Sequence, residues 1–213
     1  AFTRQGRYDL FRRGVPYPGV KREWHSLILD PDLYADGNIA VPSIHDCLLL
    51  AGLYAACGRE MRAKIDGIVS WMLAPEYGAL PYHFYFYAPQ DPSYKAKQVH
   101  GRVCLPAFSG PVLPDQALQS LIFTVFLFSH FPPAQKADWF AQAIAYLEGY
   151  RTEGGRYAFP RSMLVERKDC YVYKGGHMNA GEDRRSRLYA EILSTHWMER
   201  IVRNLETPSS TPM

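Results

Sequence analysis

Hydrophobic residues recur along this chain with the period of helices, and two stretches are apolar all the way round: Ser43 to Cys57 and Asp115 to Phe131. In IHDCLLLAGLYAAC, Leu48, Leu49, Leu50, Leu53 and Tyr54 point in several directions around a helix that advances about 100 degrees per residue, which leaves no continuous polar face. Such a helix is expected to have protein on every side. LIFTVFLF, from Leu121 to Phe128, is more extreme, with Thr124 its only polar interruption. Each of these stretches is followed by a helix with a single apolar stripe. REMRAKIDGIVSWML sets Met61, Ile65, Ile68 and Met72 on one side, with Arg59, Glu60, Arg62, Lys64 and Asp66 elsewhere. AQKADWFAQAIAYLEGY sets Phe140, Ala143, Ile144 and Leu147 inward and Lys136, Asp138, Gln142 and Glu148 outward. The order buried helix, then surface helix, occurs twice, as a two-layered stack of helical hairpins requires.

Punctuation agrees with this reading. Ser43 is placed to cap the first helix, with Asp46 three residues on as in a capping box. Gly58 offers a residue tolerant of positive φ between the first two helices, and Pro132 and Pro133 end one helix and open the next. The last helix is expected from about Glu182 to Leu205, with Leu188, Ile192, Trp197, Ile201 and Leu205 inward, and TPSSTPM from Thr207 onward as a disordered tail.

Two long aromatic loops follow the hairpins. Ala79-Leu80-Pro81 and Ala158-Phe159-Pro160 take matching places beyond the outer helices, which suggests a duplicated unit. In the first loop YHFYFY suits a short strand, part of a β-hairpin, with Tyr82, Phe84 and Phe86 on one side and His83, Tyr85 and Tyr87 on the other. These rings either line the mouth of a central cavity or pack over the edge of the core. The second loop is the more charged. Its glycines Gly175, Gly176 and Gly181 let the backbone turn around His177. Here His177 is the candidate proton donor or acceptor, oriented by Glu182 or Asp169 with Tyr173 as hydrogen-bond partner. A structural reading stands beside it, since acids at a helix start are favoured by the helix dipole. Tyr82, Tyr85, Tyr87, Tyr157, Tyr171 and Arg184 are the candidate substrate-binding residues.

Composition sets bounds. The chain has 213 residues, 47% hydrophobic, with a net charge of +3. Its lysines and arginines are scattered where a nucleic-acid surface would cluster them, so nucleic acid is not an expected partner. The apolar run ending at Phe128 is broken by Ser129 and His130, well short of the roughly 20 residues of a membrane span. The polar, arginine-bearing start lacks the apolar run of a signal peptide and has no initiating methionine, as an excerpted chain would. Cys47, Cys57, Cys104 and Cys170 form no disulfide pattern, and reduced thiols in a cytoplasmic protein are expected. His100, Cys104, Asp169, Cys170 and His177 could supply zinc ligands, but their spacing matches no compact motif, so no metal and no cofactor is expected.

Paired buried and amphipathic helices joined by Gly, Pro and aromatic loops resemble the alpha/alpha toroid of the terpenoid cyclase and protein prenyltransferase superfamily. GGRYAFPRSMLVERKDCYVYKGGHMNAGEDRRSRLYAEILSTHWM further resembles uncharacterised bacterial proteins with squalene cyclase-like toroids, over roughly Val41 to Ile201. The resemblance implies an all-α single domain over residues 1–206, a partial toroid or crescent, and an enzyme that acts on, or a protein that binds, a hydrophobic or isoprenoid-like small molecule. Two departures withhold the activities themselves: the cyclases' DxDD motif is missing, and Asp169-Cys170 lacks the intervening residue of the prenyltransferases' D-x-C. Two other readings stand beside it. One is carbohydrate processing, with Asp169 and Glu182 as a carboxylate pair, and the other is a non-catalytic interaction scaffold. So few hairpins cannot close a six-pair ring, so a homo-oligomer or a missing remainder is expected to complete it, unless it is an open crescent.

Overall fold

The computed structural model describes residues 16–31, 41–81, 83–93, 95–100, 103, 105, 108, 115–164 and 185–206. Among the described residues the fold is mostly helical with one small two-stranded antiparallel sheet. Contacts group into two compact units, Ala1–Ser43 with Ala79–Arg102, and Ile44–Gly78 with Val103–Met213.

The smaller unit is built on the expected hairpin. Strand β1, His83–Tyr87, pairs antiparallel with β2, Ala96–His100, in the register Tyr85 opposite Gln98. The aromatic run favours an extended backbone because its bulky rings sit comfortably on a pleated face. Asp91 organises the turn: its side chain accepts from the Ser93 amide at 2.8 Å and pairs with Lys97 at 2.8 Å. A 3-10 segment, Arg22–Leu27, leads to Ile28 and Leu29, and the Leu29 amide donates to the Tyr85 carbonyl at 3.0 Å. Tyr17, Ile28, Leu29 and Phe84 are buried. Gly19 has φ +79°, and a Cβ there would lie 2.8 Å from Lys95 Cγ, so this position needs glycine.

The larger unit is helical. Helix α1, Ile44–Tyr54, and α2, Arg59–Met72, run antiparallel. Cys47 Sγ meets Met72 Sδ at 3.7 Å at one end, and at the other Tyr54 Oη donates to Asp66 at 2.8 Å. Arg62 closes the turn by donating to the carbonyls of Tyr54 and Ala55, which the end of α1 leaves without helical partners. A short helix α3, Pro75–Gly78, buries Tyr77, whose hydroxyl accepts from the Val103 amide at 2.7 Å.

Helix α4, Asp115–Phe128, is the centre of this unit, touching α1, α6, α7 and the 3-10 segment Arg161–Leu164. Every residue from Leu121 to Ser129 is buried, as the all-apolar pattern requires. Full burial of each such Leu, Ile or Phe contributes about 1.5–3 kcal/mol. The outer helix predicted after it is two pieces, α5, Pro132–Gln135, and α6, Asp138–Glu148, with Ala137 extended between them. Phe140, Ala143 and Leu147 are buried on α6 as expected.

Expectations for four places are corrected. Helix α1 is not enclosed: Ile44, Cys47, Ala51 and Tyr54 are buried, but Leu48, Leu49 and Leu53 are 40%, 61% and 46% exposed. Gly58 has φ −74° and ψ 171°, an extended residue ahead of α2, and uses no positive φ. Helix α7 runs Tyr189–Glu206, with residues 185–188 a turn ahead of it, and buries Tyr189, Leu193, Trp197, Met198 and Ile201. Leu188, Ile192 and Leu205, expected inward, are exposed, because the buried stripe is set one residue further along the helix. On α2 the buried stripe is Ile65, Val69 and Met72, while Met61 is exposed.

The two aromatic loops also differ in structure. The first becomes the strand hairpin, whereas the second makes an isolated bridge between Arg151 and Tyr157 and then the 3-10 segment. Gly155 turns that bridge at φ +77°.

Candidate functional site

Asp169, Tyr171, Tyr173, His177, Glu182 and Arg184, and also Tyr82, lie outside the described residues. Tyr85, Tyr87 and Tyr157 are described, and each serves its own neighbourhood. Trp24 stacks on Tyr85 with ring centres 4.8 Å apart and planes 14° apart. Tyr87 sits edge-on to Tyr17 at 5.1 Å, and its hydroxyl donates to the Pro18 carbonyl at 3.3 Å. Both belong to the smaller unit and Tyr157 to the larger.

Tyr157 anchors the loop after α6. Its hydroxyl donates to Glu148 Oε1 at 2.6 Å, and its amide donates to Thr195 Oγ1 at 3.0 Å. Burial first, and then the hydrogen bond to Glu148, push the phenol up to about 12. The Phe159 amide donates to Ser194 Oγ at 2.8 Å, which in turn donates to the Ala190 carbonyl of α7. Rings continue from Tyr157 through Phe159 and Tyr150 to Tyr146, where the two hydroxyls are 3.0 Å apart, and on to Phe108 and Trp139. These ring contacts, edge-to-face between Tyr150 and Phe159 and between Tyr146 and Tyr150 and tilted elsewhere, tie the loop to α6, and the bonds to Thr195 and Ser194 tie it to α7. Each edge-to-face pair contributes about 0.5–1.5 kcal/mol beyond its buried area.

A second cluster, not anticipated from the pattern, joins the end of α4 to α7. Ser129, fully buried, donates to the Phe126 carbonyl at 2.6 Å and accepts from Asn204 Nδ2 at 2.8 Å. The same Asn204 nitrogen lies 3.1 Å from His130 Nε2. An amide nitrogen only donates, so His130 Nε2 is the acceptor and the imidazole proton sits on Nδ1. Burial, and then the neighbouring Arg200 charge, hold the His130 pKa below its ordinary value, in keeping with a neutral ring. Arg200 lies over Phe126 at 4.2 Å and over Trp197 at 5.0 Å. The sequence signal for this cluster was the polar pair Ser129-His130 ending an otherwise apolar helix.

The third feature is the open side of α1. His45, Leu48, Leu49, Gly52, Leu53 and Ala56 are all exposed and lie at helical spacing on one face, opposite the buried stripe. At Gly52 a Cβ would meet nothing within 4 Å, so the backbone is open to close approach there.

Among the described residues no group of three His, Cys, Asp or Glu side chains could hold a metal ion. No described helix is long and apolar enough to cross a membrane. Cys47 and Cys57 are free thiols, and burial raises the Cys47 pKa well above its ordinary value, which makes that thiol inert. Comparison with family models, curated proteins and solved structures returns no match.

Proposed function

We propose that this protein is a non-catalytic interaction scaffold, a partial alpha/alpha toroid of the terpenoid cyclase-like kind, open at the edge formed by α1 and completed there by the α1 helix of a second copy. The observation that carries the reading is the exposed stripe Leu48, Leu49, Gly52 and Leu53. Contiguous exposed leucines mark interaction surfaces. The stripe carries no Asp, Glu, Lys or Arg, so two copies related by a twofold axis meet without like charges, and Gly52 lets the helices cross closely. The exposed area of three leucines is on the order of a third of the ~800 Å² per partner in a standard interface, so the dimer is weak and depends on concentration. Free thiols at Cys47 and Cys57 suit a reducing compartment such as the cytoplasm. The small-molecule readings, isoprenoid or carbohydrate, rest on Asp169, His177 and Glu182, which lie outside the described residues.

Sedimentation equilibrium over a range of protein concentrations tests this. The wild-type mass is expected to rise from 24.3 kDa toward twice that value, while Leu49→Lys stays at 24.3 kDa throughout. A wild-type mass that stays at the monomer value up to millimolar protein removes the reading.

A further inference from the structure

We infer that the edge where α4 meets α7 binds an oxyanion group, a carboxylate or a phosphate, with Arg200 as its principal donor and His130 Nδ1–H beside it. The inference starts from how Arg200 is held. The guanidinium of Arg200, an exposed residue, lies over the Phe126 ring at 4.2 Å and the Trp197 ring at 5.0 Å, contacts that supply no lone-pair acceptor for its N–H groups. Among the described residues no carboxylate pairs with it, although Glu199 and Glu206 share its helix. Residues near the end of a helix attract cations through the helix dipole, which explains a positive charge there. That dipole does not explain why the guanidinium is held over two rings with no carboxylate partner among the described residues.

The neighbours supply the rest. His130 also packs against Phe126, with ring centres 5.1 Å apart, so imidazole and guanidinium flank one ring. Because Asn204 donates to His130 Nε2, the only proton on that ring faces away from Asn204 and is a second donor. Arg203 lies one turn from Arg200 and close enough to act on its charge. The Arg200 guanidinium and the His130 N–H form a donor pair of the kind an oxyanion satisfies, and an arginine edge matches a carboxylate or phosphate with two parallel hydrogen bonds.

Nuclear magnetic resonance on the full chain tests the site, titrating inorganic phosphate in one series and acetate in another at constant ionic strength set with sodium chloride. The expected result is a saturating shift of the Arg200 Nε–Hε signal and the Asn204 side-chain amide, half complete at about 1–10 mM, as a few charged hydrogen bonds on a surface allow. Saturation in only one series identifies which group the site takes. Arg200→Met is expected to remove the saturating Asn204 shift, and Arg200→Lys, which keeps the charge but loses the fork, to weaken binding at least about fivefold. Shifts that rise linearly with both anions, or that chloride reproduces equally, overturn the inference. So does an Arg200→Met variant, folded by circular dichroism, that still saturates. If Arg200→Met does not fold, the chloride comparison on the wild-type chain decides alone.

Discussion

Two titratable side chains tie pH to the fold in opposite ways. The Tyr157 phenol donates to Glu148, and its raised pKa means that the folded state keeps a proton which the unfolded chain gives up earlier. Its contribution is therefore complete below the ordinary phenol value of about 10 and is lost as pH rises toward about 12. Tyr157→Phe should cost about 1 kcal/mol near neutral pH and flatten the alkaline loss of stability, measured by urea unfolding at a series of pH values. His130 acts on the other side of neutrality. Its pKa is lowered in the fold, so the unfolded chain binds the proton more readily. Stability is then complete above about pH 6.5 and falls as the pH drops below it. In His130→Gln the acid-side slope below about pH 6.5 should be shallower. An unchanged slope would place the titrating group elsewhere.

Helices α1 and α4 both read as apolar all the way round in the sequence, yet they occupy different environments. Leu127 on α4 is fully buried, and Leu49 on α1 is mostly exposed. Leu127→Ala should therefore cost about 2–5 kcal/mol, transfer and cavity terms together. Leu49→Lys, in dilute protein where the chain is monomeric, should change unfolding by less than about 0.5 kcal/mol. Equal costs would mean that α1 is covered after all. The difference arises because α4 has neighbours all round, including α1, α6 and α7, while α1 has them on one side. A pattern of apolar residues states what a helix can bury, not how many partners reach it. The same limit explains α7, where Leu188 and Ile192 fit an apolar spacing but the buried stripe is Tyr189, Leu193, Trp197 and Ile201. Both stripes are open to a helix of this composition, and only packing selects between them. His83–Tyr87 is a strand, as its pattern predicts, because alternation and aromatic bulk suit an extended backbone whatever surrounds it.

At the scale of the whole molecule the open face of α1 has a thermodynamic consequence. If a second copy covers it, folding and association are linked, and the thermal midpoint should climb with protein concentration in the wild type but not in Leu49→Lys. Calorimetry at several concentrations reads this directly, and a midpoint independent of concentration in the wild type counts against self-association. Of the candidate residues to which the sequence points, only Tyr85, Tyr87 and Tyr157 lie among the described residues, and they act as anchors of their own units. The Ser129, His130, Arg200 and Asn204 cluster could not be anticipated, since Asn204 Nδ2 donates to Ser129 Oγ across 75 positions of sequence. What the order of residues determined unaided is local: where apolar period makes a helix, where aromatic alternation makes a strand, and that Leu121 to Phe128 must be inside. Which apolar faces found a neighbour, and which distant polar groups met, was decided only in three dimensions, because burial and long-range hydrogen bonds depend on partners that no local pattern encodes.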